Sequence, residues 1–319
     1  MPLTVGVCIP AYNVQSYIED ALDSVLRQTM APDRVIIVND GSTDNTHEVI
    51  KSWLTRHSAR FEIVNQAKAG VSAARNAAVA ALSCDVVAML DADDVWLPDF
   101  LETLVPPFER HKDLVVCFGD VEKFSDNQVV QESFLSGKPV LRLPFDQDAG
   151  GCRVIRGSAY TSLVTGAYAA PSATVVSRQA FRQVGGFDPN QLVSEDRDLL
   201  MRISRVGRFG YYSRVVTRKR VRPDALTAPG QALFYDRYIL RTLQKALAKP
   251  ESLDLSPDEI AATQKTARHT ASELYYHASR NGLVTLIRTW SFVHRVLRLT
   301  YRPTAKDFVR GLIFSTKRG

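Results

Sequence analysis

Four short apolar runs, each followed by a helical stretch, restrict this chain to few architectures. Residues 3–9, 34–39, 61–64 and 86–90 are apolar with little alternation, as strands buried on both faces are. Pro10 closes the first run. Between the runs the pattern is helical. Ile18, Leu22, Val25 and Leu26 share one face, Val49, Ile50, Trp53 and Leu54 another, and an Ala-rich helix runs from Gly70 to about Leu82. Strands alternating with helices predict βαβ units, with a mostly parallel central sheet covered by helices on both faces. Ligands of such sheets bind beyond the carboxyl ends of the strands. Three of those ends carry polar chemistry: Pro10-Ala11-Tyr12-Asn13, Asn39-Asp40-Gly41-Ser42-Thr43-Asp44 and Asp91-Ala92-Asp93-Asp94. They are expected to converge on one crevice.

The last of these ends puts three carboxylates at the mouth of the sheet. They repel one another and lose hydration, and a cation offsets both costs. A hard divalent metal on one or two carboxylates keeps positions free for substrate phosphates. Asp-x-Asp after a strand therefore points to a metal gripping a diphosphate. An acidic turn capping the next helix is the plainer alternative.

Downstream, a helix is expected over residues 98–110 and a strand over 114–118. Residues 121–165 are rich in Gly, Pro and Ser and read as irregular structure shaping a substrate site. Residues 171–177 read as a strand. Ser194-Glu195-Asp196 opens a helix. Acids there complement the helix dipole, and a carboxylate facing a metal across a crevice also suits a general base. Residues 214–222 read as a strand with an Arg-rich face, either solvated or clamping phosphate oxygens. The loop from Arg222 to Thr227 follows. Beyond residue 230 helical periodicity takes over. Ser256-Pro257-Asp258-Glu259 is a capping box with proline in the first turn. Leu283, Leu286, Trp290, Val293 and Leu297 form an apolar stripe, with Arg288, Arg295, Arg298 and Arg302 off it. Packing on the main domain or a second subunit is the expected use of that stripe, and lying on a membrane surface is the alternative.

The charge is unevenly spread. Residues 201–319 hold 23 Lys/Arg against 8 Asp/Glu, whereas residues 1–200 hold 17 against 26. The acidic part carries the candidate metal site. The basic part suits a phosphate-bearing substrate or an anionic surface. Cys8, Cys84, Cys117 and Cys152 form no Cys-x-x-Cys pair, which fits free thiols in a reducing compartment. No signal peptide is read at the N-terminus, and no apolar stretch reaches membrane-spanning length.

Taken together, residues 3 to 227 resemble the family 2 glycosyltransferases of GT-A fold. The matching stretches are Ile9-Pro10-Ala11-Tyr12-Asn13, Val38-Asn39-Asp40-Gly41-Ser42-Thr43-Asp44, Gly70-Val71-Ser72-Ala73-Ala74-Arg75-Asn76, Leu90-Asp91-Ala92-Asp93-Asp94, Gly185-Gly186-Phe187-Asp188 and Glu195-Asp196. The resemblance implies a GT-A domain over residues 1–230. Its nucleotide-sugar half is residues 1–120, its acceptor half 121–230, and a helical extension follows over 231–319. It implies that Pro10, Ala11, Tyr12 and Asn13 lie along the nucleotide, that Asp40 reads the base, usually uracil, and that Arg75 sits near the nucleotide. Asp91, Ala92 and Asp93 match the Asp-x-Asp that holds ribose and metal. Mn2+ or Mg2+ falls to Asp93 and Asp94. Asp196 matches the catalytic base, beside Glu195. Arg220 and Arg222 match the basic stretch over the diphosphate, although Asp224-Ala225 stands where many relatives carry Gly-Ser.

The implied reaction is inverting transfer from a nucleoside-diphosphate sugar, with UDP favoured, to a hydroxyl of a glycan or lipid-linked sugar. The implied setting is surface polysaccharide or glycolipid synthesis in the bacterial cytoplasm, at the inner face of the membrane, with homo-oligomerisation as a further expectation. Three rivals are weaker. A sugar-nucleotide pyrophosphorylase needs a Gly-rich loop where Pro10-Ala11-Tyr12-Asn13 stands. A non-catalytic nucleotide-sugar-binding module has no need of Asp91, Asp93 and Asp196 together. Nucleic-acid binding lacks aromatic platforms among the basic residues.

Overall fold

The computed structural model describes residues 2–59, 61–126, 128–222, 231–296, 298 and 300–316. The chain divides into two compact units, Met1–Arg222 and Pro223–Gly319.

The first unit opens with alternating elements. They are β1 (Val5–Ala11), α1 (Ile18–Leu26), β2 (Arg34–Asp40), α2 (Thr46–His57), β3 (Glu62–Gln66), α3 (Val71–Ala81) and β4 (Val86–Met89). β3, β2, β1 and β4 pair in that order, all parallel. Every residue of β1 is buried, and α1 covers the sheet with Ile18, Ala21, Leu22 and Val25. Pro10 does not end β1; the strand runs on to Ala11. The neighbouring β4 stops at Met89, opposite Cys8, and the Leu90 amide donates to the Cys8 carbonyl. Pro10 faces that vacated side, so its missing N–H breaks no ladder bond.

Beyond β4 come β5 (Val95–Trp96), α4 (Phe100–Leu104), α5 (Pro107–Arg110) and β6 (Leu114–Ser125). The single helix expected over 98–110 is broken at Pro106-Pro107, where two rings remove consecutive amide donors. The stretch read as irregular contains short elements: β7 (Gln128–Gln131), β8 (Phe145–Gln147), β9 (Arg153–Ile155) and α6 (Tyr160–Thr165). Strands of three or four residues are too short to show a period. β10 (Thr174–Ser177), α7 (Arg178–Gln183), α8 (Glu195–Ile203) and β11 (Arg208–Arg220) complete the unit. β10 enters antiparallel between β4 and β6, and β11 lies parallel to β6. The strands β1 to β4 are thus parallel, and the sheet is mixed from β10 onward.

The second unit holds α9 (Ala232–Ala248), α10 (Pro257–Arg280), α11 (Leu283–Ser291) and α12 (Ala305–Thr316). Ser256 and Glu259 form the capping box of α10 in both directions. α10 packs on α9, α11 and α12. Leu286 and Val293 of the apolar stripe are fully buried, and Trp290 meets Phe308 edge-on at 6.2 Å. The stripe therefore packs inside its own unit. Leu297, Asp224, Ala225 and the rest of the loop after Arg222 lie outside the described residues. No helix among the described residues is long and apolar enough to cross a membrane.

Candidate active site

The carboxyl ends of β1, β2 and β4, the first turns of α3 and α8 and the end of β11 supply the candidate residues. Asn13 adopts a left-handed φ of 50°, which asparagine tolerates better than most residues. Its side chain accepts from the Thr43 amide at 2.8 Å, and its own amide donates to Ser42 Oγ at 3.2 Å. The Val14 amide donates to Thr46 Oγ1 at 2.8 Å. These bonds tie the loop after β1 to the loop after β2. Gly41 is required there: with φ at +67°, a Cβ would lie 2.7 Å from the Lys68 amide nitrogen. Lys68 Nζ in turn stands 3.7 Å above the Tyr12 ring.

Asp40 is buried. Its carboxylate accepts from Gln66 Nε2 at 2.6 Å and from the Ala69 and Gly70 amides at 2.8 Å each. Three of about four lone-pair positions are thereby used within the chain. Asp40 fixes the loop that leads into α3.

Arg75 of α3 holds the centre. Its side chain is 3% exposed; Nη2 meets Asp91 Oδ1 and Nη1 meets Glu195 Oε1, each at 2.6 Å. One guanidinium thus joins the end of β4 to the first turn of α8. Burial works against its charge, but the two carboxylates prevail and hold it cationic. Asp91 is likewise held ionised against burial by Arg75 and Lys219. Arg75 Nε has no hydrogen-bond partner among the described residues.

The acids that follow Asp91 part company. Asp94 is 1% exposed and turned inward. Its Oδ2 accepts the Ser172 hydroxyl at 2.6 Å and its Oδ1 the Arg220 amide at 3.0 Å. Burial, with Asp93 and Asp91 nearby, pushes its pKa up to about 7. Asp93 is more open, with Oδ2 at 3.1 Å from Arg222 Nη1. Asp93 and Asp94 were the expected metal pair, yet Asp94 has both oxygens engaged by the protein. Asp93 carries one ion pair and is the more open of the two to a hard divalent ion. Among the described residues, no three His, Cys, Asp or Glu side chains form a closed metal cage.

Two residues that organise these acids were not singled out in the sequence. Lys219 Nζ lies 3.7 Å from Asp91 Oδ2 and 3.6 Å from Asp94 Oδ2. The charges of Asp94, Asp91, Asp93 and Asp196 keep it protonated, with burial opposing. A protein ammonium thus supplies part of the cationic charge that three adjacent acids require. Ser172 accepts the Asp91 amide at 3.1 Å while donating to Asp94. Its carbonyl accepts Trp96 Nε1 and Thr217 Oγ1, each at 2.7 Å.

Asp196 sits in the first turn of α8, half-buried, its Oδ1 accepting the Arg197 amide at 2.8 Å. Ser194 before it takes a left-handed φ of 57°, a costly conformation for serine and one that often marks a functional turn. Burial, then the neighbouring Glu195, raises the Asp196 pKa to about 6. Arg220 donates from Nε to the Asp93 carbonyl at 3.2 Å and from Nη2 to Asp20 at 2.8 Å. Arg220 and Arg222 flank the Tyr17 ring, at 5.0 and 4.8 Å from its centroid. Arg75, Lys219, Arg220 and Arg222 therefore stand among Asp91, Asp93, Asp94, Glu195 and Asp196 on one edge of the sheet.

This edge can be set against known proteins. Residues 6–159 match the profile of glycosyl transferase family 2, and residues 86–305 match that of glycosyl transferase family group 2. The uncharacterized glycosyltransferase EpsJ of Bacillus subtilis (strain 168) is 33% identical over 141 residues, covering 44% of this chain and 40% of EpsJ. Chondroitin synthase of Pasteurella multocida (strain Pm70) is 28% identical over 220 residues, 69% of this chain and 21% of the synthase. The chain thus spans well under half of these relatives' lengths. Among solved structures, mannosyltransferase PcManGT from Pyrobaculum calidifontis, in complex with GDP-Man and Mn2+, superposes with a TM-score of 0.60. Its identity is 18%, over 92% of this chain and 75% of that one. S. aureus TarS 1-349 in complex with UDP-GlcNAc superposes at 0.54 with 16% identity, over 99% and 92%. At these identities the likeness is one of fold. With the second profile covering more than half of its length, the chain belongs to the family 2 glycosyltransferases.

Proposed function

We propose that this chain transfers a sugar, with inversion, from a nucleoside-diphosphate donor to an acceptor hydroxyl. The observation that carries the reading is the double grip of Arg75 on Asp91 and Glu195. It joins the acids after β4 to the first turn of α8, so a leaving group and a base can share one crevice. The ligands named for PcManGT and TarS support a nucleotide-sugar donor. We favour a UDP-sugar, with Tyr12 along the nucleotide and the remaining lone pair of Asp40 accepting the base N–H.

Asp196 is the base. Its raised pKa, about 6, brings its basicity nearer neutrality while leaving it ionised at pH 7. It takes the proton of the acceptor hydroxyl as that oxygen attacks the anomeric carbon, opposite the departing diphosphate. Lys219, Arg220 and Arg222 stabilise the charge that develops on the diphosphate oxygens. A divalent ion, Mn2+ or Mg2+, held by Asp93, would add Lewis-acid stabilisation of the same charge. Asp94 serves by fixing Lys219 and the Arg220 amide rather than by ligation. The acceptor is a glycan or lipid-linked sugar in surface polysaccharide or glycolipid synthesis on the cytoplasmic side.

A thermal-shift screen of nucleotide sugars with Mn2+ identifies the donor. Asp196→Asn then lowers transfer by about 10²–10⁴-fold while calorimetric donor affinity stays within a few-fold. Full transfer by the Asn variant would overturn the base assignment.

A further inference from the structure

The last two helices of the second unit carry side chains that its own packing leaves open. α11 and α12 meet where Gly311 admits the backbone of Leu283; a Cβ at Gly311 would lie 3.2 Å from Leu283 Cα. The Leu283 amide donates to Ser315 Oγ at 2.9 Å, and that hydroxyl donates to the Gly311 carbonyl at 2.8 Å. This clamp holds α11 against α12. On α11, Val284 and Ile287 stand about one turn apart, and on α12 so do Val309 and Leu312. Val284 is 62% exposed, Ile287 47%, Val309 57% and Leu312 54%. Leu286, between the first two, is fully buried. α11 is therefore apolar on an outer side as well as an inner one, which packing within the unit does not require.

The same segment is strongly basic. Residues 280–319 hold nine Lys/Arg against one acid, Asp307. Arg288, Arg295, Arg298, Arg302 and Lys306 are exposed.

We propose that this face docks on an anionic lipid bilayer. Its four aliphatic side chains enter the boundary between headgroups and acyl chains, and its cations rest on anionic headgroups. Charge selects this occupant. A two-fold interface with a second copy sets a patch against itself, which here brings like charges together. A nucleic acid answers the cations but leaves the aliphatics against phosphate. An anionic bilayer answers both. The proposal stands apart from the transferase reading, since its test contains no donor.

The full chain is sedimented with vesicles of phosphatidylcholine alone, or of equal parts phosphatidylcholine and phosphatidylglycerol. Binding is expected to the mixed vesicles and about tenfold weaker to the neutral ones, with a similar loss as salt rises from about 0.1 M to about 1 M. Val284→Ser with Leu312→Ser removes apolar area without touching charge and should weaken binding about tenfold or more, at an unchanged melting temperature. If that pair shifts the melting temperature, Arg295→Glu with Lys306→Glu gives the same reading from the charge side. No sedimentation with mixed vesicles overturns the proposal, and so does undiminished binding of both double variants. A dimer seen by light scattering that the Ser pair dissolves, without vesicle binding, assigns the face to a second copy instead.

Discussion

The carboxyl edge of the sheet and the α11–α12 face are both dense with charge, and they hold it in opposite ways. At the edge, Arg75 is 3% exposed and each of two arms meets a carboxylate at 2.6 Å. On α11 and beyond, Arg288, Arg295 and Arg302 stand in solvent. Charges of the first kind act at fixed positions, where low dielectric strengthens them and salt screens them little. Charges of the second kind act as a summed field that ordinary salt screens within about 10 Å. Position suits stabilisation of one developing charge; a field suits adhesion to a broad surface.

The comparison breaks first at Arg75. Arg75→Met leaves Asp91 and Glu195 without their shared cation, and losing one partner of a buried pair costs about 3–5 kcal/mol. Denaturant melts should show that loss together with lost donor binding. A Met variant as stable as the parent would mean the grip is ornamental. The next test is pH. Asp196 has its pKa raised to about 6, so its basic form is present above that value and lost below it. Transfer should fall about tenfold per pH unit below pH 6; a profile flat from pH 6 down to pH 4.5 would remove Asp196 from the chemistry. A smaller effect is expected at Lys219. Lys219→Met should weaken nucleoside-diphosphate binding in chelator about tenfold, roughly 1.4 kcal/mol, because the cation that stands beside Asp91 and Asp94 is gone. Equal affinity of parent and variant in chelator would leave Lys219 a purely structural ion. Smallest is Ser256→Ala, which removes one half of the α10 capping box and should cost about 1 kcal/mol of stability. Donor affinity should not change; a change would mean that the second unit takes part in donor binding.

The alternation of strands and helices made the parallel half of the sheet legible, since buried parallel strands are long enough and apolar enough to show in composition. The convergence was legible where acids or an arginine follow a strand or open a helix, since Asp91, Asp93, Arg75 and Asp196 do meet at one edge of the sheet. A sequence shows adjacency and not direction; the inward turn of Asp94 depends on Ser172, 78 residues away. Ser172 itself leaves no local mark, lying in a short turn whose partners come from three other segments. Lys219 was hidden by its neighbours. Residues 214–222 read as an Arg-rich face, which masks the one lysine among them, whose ammonium reaches Asp91 and Asp94. The short strands β7, β8 and β9 were not legible, because a few residues at a sheet margin carry no pattern of their own.

Ser172 stands two residues before β10, where the sheet changes direction, and its hydroxyl joins the Asp91 amide to the Asp94 carboxylate. Exchange of the segment that follows, by recombination or by design, therefore crosses a contact on which the acids after β4 depend. A chimera that joins a foreign segment here should keep the Asp94 carboxylate in place if it retains a hydroxyl at this position, and lose that bond with alanine, however well the new segment folds.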